Sequence, residues 1–366
     1  ILMNRRKFLT GAATGVAAGA AAATLSAPAI AQGKRDLKMV TTWPKNFPGL
    51  GTGAQRVADR ITAASGGKLN VKLYAAGELV PPFESFDAVS NGTADMYHAA
   101  EYYWQGKHKA FNFFTAVPFG FTANELDAWV HYGGGQELWD KLSAQYNLKS
   151  FMAGNTGVQM GGWFNKEINT LEDFKGLKIR MPGLGGEVLR RIGAAAVTLP
   201  GGEIFPSLES GAIDATEWVG PWNDLAFGFY KVTKYYYQPG FHEPGSGLAC
   251  GMNKDVWESF APDEQALIQS ACAAENNVML SEYNAKNGDS LDVLLNKHNV
   301  ELRTFTQDIM DALGAKSEEV VKEVGQTDDI SKEIYDSYIE FRRKVSRWTQ
   351  LSESDYTAAR GAALKI

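Results

Sequence analysis

Beyond residue 31 the chain switches repeatedly between the two-residue apolar period of strands and the 3.6-residue period of helices. LKMVTTWP at 37–44 predicts a first strand, GTGAQRVADRITAAS a helix, and LNVKLYAAGEL a second strand. PFESFDAVSNG then predicts a helix and ADMYHAA a third strand, followed by helix over ANELDAWVHYGGGQELWDKLSAQYN with a Gly-rich break at 133–135. Two extended stretches, 148–167 and 235–254, exceed the usual ~3–10 residues of a strand and carry internal glycines. Strands of that kind can run from one domain into another and act as a hinge. Between them lies an α/β unit with strands in GLKIRMPG, AVTLPGG and AIDATEWVG and helices in GEVLRRIGA and IFPSLESG. After 254 the pattern is helical apart from a short strand, VELRTFT. From 328 onward Ile330, Ile334, Tyr338, Phe341, Val345 and Trp348 share one helical stripe, with Asp328 or Asp329 as its cap. The alternation predicts α/β architecture, and 366 residues predict two domains.

Composition sharpens this picture at the N-terminus. NRRKFLTGAATGVAAGAAAATLSAPAIAQ pairs Arg5 and Arg6 ahead of a mildly apolar Ala/Gly stretch and ends on the small residues Ala29-Ile30-Ala31. This is the pattern of an export signal over 1–31, and the arginine pair resembles the twin-arginine type. Without that segment the side chains number 33 basic against 42 acidic, a net charge of −9. No basic run is left to follow a phosphate backbone, which argues against nucleic acid as a partner, and a negative chain does not suit an anionic membrane surface. Cys250 and Cys272 are compatible with one disulfide in an oxidising compartment or with two buried thiols.

The candidate chemistry is a matter of charges in apolar company. In ATEWVGPWND, Glu217 stands between small residues and the indoles of Trp218 and Trp222, where a lone carboxylate takes up a proton rather than stay ionised. None of the five histidines sits in HExxH, in a GxSxG context or in a triad. The run MPGLGGEVL at 181–189 lacks the full G-x-G-x-x-G spacing and reads as a strand-to-helix turn. Arg180 ends the strand before that turn, so its guanidinium and the free N–H groups of the following helix can face one anion. Gln159 and Glu243 lie in the two long extended stretches. If these stretches and the strand carrying Glu217 converge, two carboxylates and an amide oxygen form a hard-oxygen site for sodium or calcium. Paired carboxylates also suit a hydrolase acid–base pair, although hinge positions and the nearby Arg180 favour binding an acid.

AAGELVPPFESFDAVSNGTADMYHAAEYYW, NTGVQMGGWFNKEINTLEDFKGLKIRMPG and PGGEIFPSLESGAIDATEWVGPWND together resemble the extracytoplasmic solute-binding proteins of TRAP transporters, over essentially the whole mature chain. QMGGWF with DATEWVGP is similar to the branch that binds 2-oxo acids such as pyruvate, or 2-hydroxy acids such as lactate, with a metal ion. The resemblance implies two α/β domains of the periplasmic-binding-protein fold, joined by hinge strands and spanned by a long C-terminal helix. The domains are expected over 32–153 with 246–300 and over 154–245 with 301–327, and the helices of 328–366 are expected to span the two or to make a homodimer. By resemblance Arg180 clamps the ligand carboxylate and Gln159 reaches both ligand and cation. Glu217, the Trp218 carbonyl and Glu243 hold the cation, expected to be Na+ with Ca2+ as the alternative, while Tyr102 and Tyr103 line the pocket. On that reading Glu217 is paired with the metal rather than with a basic side chain. The residues before the last glutamate, Phe241-His242, depart from the two tryptophans frequent in this branch, and His242 offers a hydrogen bond to a longer or more polar ligand. The expected function is delivery of a small monocarboxylate in the periplasm to TRAP membrane permease subunits, without catalysis. The rivals are a sugar acid or dicarboxylate bound without metal, and a periplasmic hydrolase using the carboxylate pair.

Overall fold

The extended segments assemble into two separate sheets. A computed structural model of the chain describes residues 33–365, so the signal expected over 1–31 lies outside the described residues. In chain order the strands are β1 (Arg35–Thr41), β2 (Leu69–Tyr74), β3 (Met96–Ala99), β4 (Leu148–Asn155), β5 (Gly162–Phe164) and β6 (Lys178–Arg180). They continue with β7 (Ala195–Val197), β8 (Ala215–Thr216), β9 (Tyr235–Gln238), β10 (Gly247–Asn253) and β11 (Glu301–Thr304). The first sheet has the order β2-β1-β3-β10-β4 and the second β11-β9-β5-β8-β6-β7.

Both long extended stretches are therefore two strands each, not one. The first gives β4 to one sheet and β5 to the other, and the second gives β9 and β10 in the reverse direction. The crossings, 156–161 and 239–246, run side by side because β4 pairs antiparallel with β10 and β5 antiparallel with β9. Glycine breaks the strands there, and Gly157 and Gly162 at φ 71° and 118° take backbone conformations that a Cβ disfavours.

The helices are α1 (Leu50–Ala64), α2 (Ser85–Ser90), α3 (Ala123–Tyr132), α4 (Gly135–Ala144), α5 (Gly183–Arg191) and α6 (Gly201–Glu209). They are followed by α7 (Pro221–Phe227), α8 (Lys254–Glu258), α9 (Pro262–His298), α10 (Gln307–Val324), α11 (Asp329–Thr349) and α12 (Asp355–Leu364). The 37 residues of α9 form the longest helix among the described residues. It packs on β4 and α1 beside the first sheet and on α7 beside the second. Its Met279, fully buried, sits so close to two glycines that a Cβ on Gly53 would lie 2.2 Å from its Cε and one on Gly154 2.7 Å from its Sδ.

At the C-terminal end α10 lies on α5, next to the second sheet, and α11 lies on α3 and α4, next to the first. Asp328 caps α11 by accepting the Ser331 N–H at 2.8 Å. Ile334 and Tyr338 of the expected stripe are buried, but Trp348 is 68% exposed. One apolar core runs from Tyr97 and Trp139 through Phe241 to Phe164, Ile179 and Val188, reaching both sheets. Cys250 and Cys272 are both free and buried. Among the described residues no helix is long and apolar enough to cross a membrane.

Candidate binding site where the sheets cross

The two crossings are bonded to each other by the backbone. Gln159 N–H donates to the Glu243 carbonyl at 3.1 Å and Gly240 N–H to the Gln159 carbonyl at 3.1 Å. A third segment joins them, since Met160 N–H donates to the Val219 carbonyl at 3.0 Å, just past Glu217 and Trp218. The short β8 ends at Thr216, and Glu217 N–H still donates to the Arg180 carbonyl at 3.1 Å. Sequence-distant Gln159, Arg180, Glu217, Trp218 and Glu243 are thereby brought together by main-chain contacts before any side chain is considered.

Arg180 and Glu217 are both fully buried. Glu217 is not without a basic partner, as the sequence suggested, because its Oε1 is in an ion pair with Arg180 Nη1. Two opposite charges removed from water to the end of adjacent strands compensate one another. Arg180 is further oriented by donating from Nη1 to the Glu217 carbonyl at 3.1 Å and from Nε to the Leu199 carbonyl at 3.2 Å. Its guanidinium lies 5.1 Å from the Trp218 ring, and Nη2 reaches the Tyr103 hydroxyl at 3.4 Å. Burial opposes the charge on Arg180, but Glu217, then Tyr103, Tyr102 and Glu243, hold its pKa above the ordinary value.

The other Glu217 oxygen, Oε2, lies 3.2 Å from His242 Nε2. Glu243 receives the Gln159 amide N–H at 2.9 Å on its own Oε2. Burial first, and then the Glu217 carboxylate, pushes Glu243 up to about 7. One donor atom from each of Glu217, His242 and Glu243 falls within 4.8 Å of the others. Gln159 Oε1 is buried and, among the described residues, has no hydrogen-bond partner. With both carboxylates ionised and the imidazole uncharged, the single guanidinium leaves this cluster one positive charge short, and with an amide oxygen in need of a partner the residues fit a bound cation.

Beside the cluster is a small, nearly closed cavity lined by Trp43, Tyr102, Tyr103, Thr156, Gln159 and Trp218 among others. Tyr102 and Tyr103 come from a 3-10 turn, Glu101–Trp104, directly after β3. Burial pushes the Tyr103 hydroxyl up to about 12, so it stays protonated and able to donate. The sequence reading missed Trp43, Thr156 and Ser246. Trp43 follows β1, and its Nε1 donates to His98 Nδ1 at 2.9 Å, which fixes the wall of the cavity. A position just past a strand's carboxyl end was the available signal for Trp43, since open α/β sheets bind ligands there. Thr156 and Ser246 had none, because their neighbours lie on the opposite crossing.

The two halves touch across the cavity. The Trp43 and Trp218 rings are 6.2 Å apart, the Phe47 and Phe227 rings 4.3 Å, and Asn223 donates to the Pro48 carbonyl at 3.0 Å. Leu184 N–H, in the first turn of α5, donates to Asn112 Oδ1 at 3.2 Å.

The sequence profile of the family described as bacterial extracellular solute-binding protein, family 7, matches residues 39–328. A monocarboxylate 2-oxoacid-binding periplasmic protein of Nostoc sp. is 41% identical over 319 residues, covering 87% of each chain. Among solved structures, a TRAP transporter solute-binding protein from Bordetella bronchiseptica aligns with a TM-score of 0.89 and 35% identity, covering 91% of this chain and 99% of that one. It is a mixed-occupancy dimer with copurified calcium and picolinate in one active site. A TRAP periplasmic solute-binding protein from Pseudoalteromonas atlantica, with bound sodium and pyruvate, aligns with a TM-score of 0.86 and 39% identity over 89% of this chain and 99% of that one.

Proposed function

Because the chain belongs to the bacterial extracellular solute-binding proteins of family 7, the binding components of TRAP transporters, we propose that it takes a small 2-oxo or 2-hydroxy monocarboxylate, pyruvate- or lactate-like, together with a cation. The observation that carries this reading is the buried cluster of Arg180, Glu217 and Glu243, with the Gln159 amide bonded to Glu243 and its Oε1 buried without a hydrogen-bond partner among the described residues. Glu217, Glu243, Gln159 Oε1 and the Trp218 carbonyl would hold the cation, either Na+ or Ca2+. The cation supplies a second point of attachment, selecting acids with an oxygen at C2 that can chelate it. Arg180, whose Nε and Nη1 are held by the Leu199 carbonyl and by Glu217, would turn Nη2 to the ligand carboxylate. Tyr103 adds a neutral donor, and Tyr102, Trp43 and Trp218 exclude water.

The family is one of transport binding proteins, and no bond of the acid need change. Residues 32–153 with 246–300 and 154–245 with 301–327 act as two lobes that part and close about the two crossings, and the closed form docks on the TRAP permease. Export proceeds through the twin-arginine signal to the periplasm. A second copy covers the apolar side chains at the C-terminal end, where Trp348, Leu351, Tyr356 and Leu364 are each more than 60% exposed and α12 buries no residue. The dimeric Bordetella relative supports that part of the reading.

Titration calorimetry on the chelator-treated chain tests the central claim with pyruvate, lactate, succinate and galacturonate, with and without Na+ or Ca2+. Pyruvate or lactate is expected to bind only when a cation is present, and to be recovered unchanged. Tight binding of succinate or galacturonate alone, without cation, would overturn it.

A further inference from the structure

Asn223 is not among the residues that line the cavity, yet it joins the two halves beside it. It is the third residue of α7, fully buried, on a helix that begins shortly after Glu217 and Trp218. Its Nδ2 donates to the Pro48 carbonyl at 3.0 Å, and its Oδ1 accepts from the Tyr283 hydroxyl of α9 at 2.7 Å. Both ends of the amide are thus engaged where water does not reach. Pro48 belongs to the segment 44–49 that connects Trp43 to Leu50, and both of those side chains line the cavity. The segment comes in close because Gly49 takes φ 71°, and a Cβ there would lie 2.6 Å from Tyr283 Oη. From the other side α7 is fixed to the second sheet by Asp224, which accepts from Trp163 and Tyr236, and to α9 by Trp222 N–H donating to Asn287 Oδ1 at 3.1 Å.

We propose that Asn223 is the latch of the closed cleft, a positioning residue that meets no ligand and sets how slowly a bound acid leaves. This role rests on the reading that two lobes close on a small carboxylate. When the lobes part, the amide and the Pro48 carbonyl are both taken up by water, so their bond stabilises the closed form alone. Phe47 and Phe227, with rings 4.3 Å apart on the same segment and helix, add apolar contact that has little directional preference. The amide supplies direction. It fixes segment 44–49 on α7 and with it the setting of Trp43 against Trp218, whose rings are 6.2 Å apart. A ligand enters before this bond forms and leaves only after it breaks, so loss of the amide acts on departure and not on arrival.

Stopped-flow fluorescence on the full chain with pyruvate and Ca2+ tests this, beside Asn223→Asp, Asn223→Ala and Tyr283→Phe, with melting curves to verify folding. Asn223→Asp keeps the size of the side chain and its bond from Tyr283, but turns the donor into an acceptor facing the Pro48 carbonyl. Both Asn223 variants are expected to release pyruvate about tenfold faster, with the association rate within about twofold of wild type. Tyr283→Phe removes only the hydroxyl that steers the amide, and is expected to speed release by about two- to fivefold; it decides the matter if the Asn223 variants do not fold. Release at the wild-type rate from folded variants, even where fewer molecules are active, overturns the latch. So does a loss of affinity that lies in the association rate. If succinate or galacturonate binds in place of pyruvate, the monocarboxylate reading fails, and the same comparison of rates with that acid still decides the latch. If none of these acids binds wild type, both readings fail.

Discussion

Arg180 carries the fixed positive charge of the cleft on a side chain that water does not reach. Replacing it with alanine would strand the buried Glu217, so Arg180→Lys is the cleaner probe: it keeps a charge and loses the planar fork. Calorimetry on that variant is expected to show pyruvate binding weakened about 10- to 100-fold, equivalent to ~1.4–2.7 kcal/mol. Unchanged affinity would remove the clamp from the site. Asp224 is a different case, a buried acid that serves structure. It accepts from Trp163 Nε1 at 3.0 Å, Tyr236 Oη at 2.6 Å and Val219 N–H at 3.3 Å, tying α7 to the second sheet just after Trp218. Burial pushes it up to about 7, against the pull of those donors. With the folded pKa above the ordinary 3.8, its contribution to stability is full below about pH 3.8 and is lost as pH rises through about 7. His98, lowered to about 4 by burial, runs the other way, losing its contribution as pH falls through about 4. The stability difference between wild type and Asp224→Asn isolates the acid. It is expected to shrink by on the order of a few kcal/mol between pH 4 and pH 7, read from denaturant melts.

The elements that hold the site vary in how far neighbouring residues announce them. Helix α1 was expected over 51–65 and forms over Leu50–Ala64, because a periodic stripe and a break on each side are local properties. The cap at Asp328 was legible for the same reason. The two extended stretches were not, since only pairing with the opposite sheet reveals where each strand stops. Residues 217–219 were expected within a strand, but β8 ends at Thr216, and the bends there follow from tertiary contacts to Met160 and Arg180. Pairing of Arg180 with Glu217 spans 37 positions and could not be read from periodicity; the residues themselves were singled out by chemistry and family resemblance. Strand β10 and helix α9 permit a matched pair of tests. On β10 a Cβ at Gly251 would lie 2.0 Å from Tyr97 Cζ and displace a hydroxyl that donates to the buried Glu101 at 2.5 Å. Gly251→Ala is expected to cost about 2–4 kcal/mol in denaturant melts. Gly288, within α9, has nothing within 4 Å of a Cβ, and Gly288→Ala should stabilise by roughly 0.5–1 kcal/mol.

At the scale of the whole molecule the chain is two sheets whose connections cross at one place, and the candidate donors stand on that crossing. On the proposed reading a cation there would touch both crossings and the segment after β8, so that closing the proposed lobes and filling the centre would be one event in free-energy terms. The exposed C-terminal side chains belong to this scale too. Sedimentation velocity is expected to show a dimer at micromolar concentration and a monomer for Trp348→Lys with Leu351→Lys, with ligand binding retained in both. A monomeric wild type would remove the dimer. Trp218, meanwhile, has a buried indole N–H with no hydrogen-bond partner among the described residues, and its ring lies against the Arg180 guanidinium and edge-on to Trp43. Indole emission responds to nearby charge and polarity, and these two rings wall the cavity. On the proposed reading, arrival of an ion and an anion beside them would change the colour and yield of the protein's own ultraviolet light and make the unlabelled chain an optical gauge of its cargo.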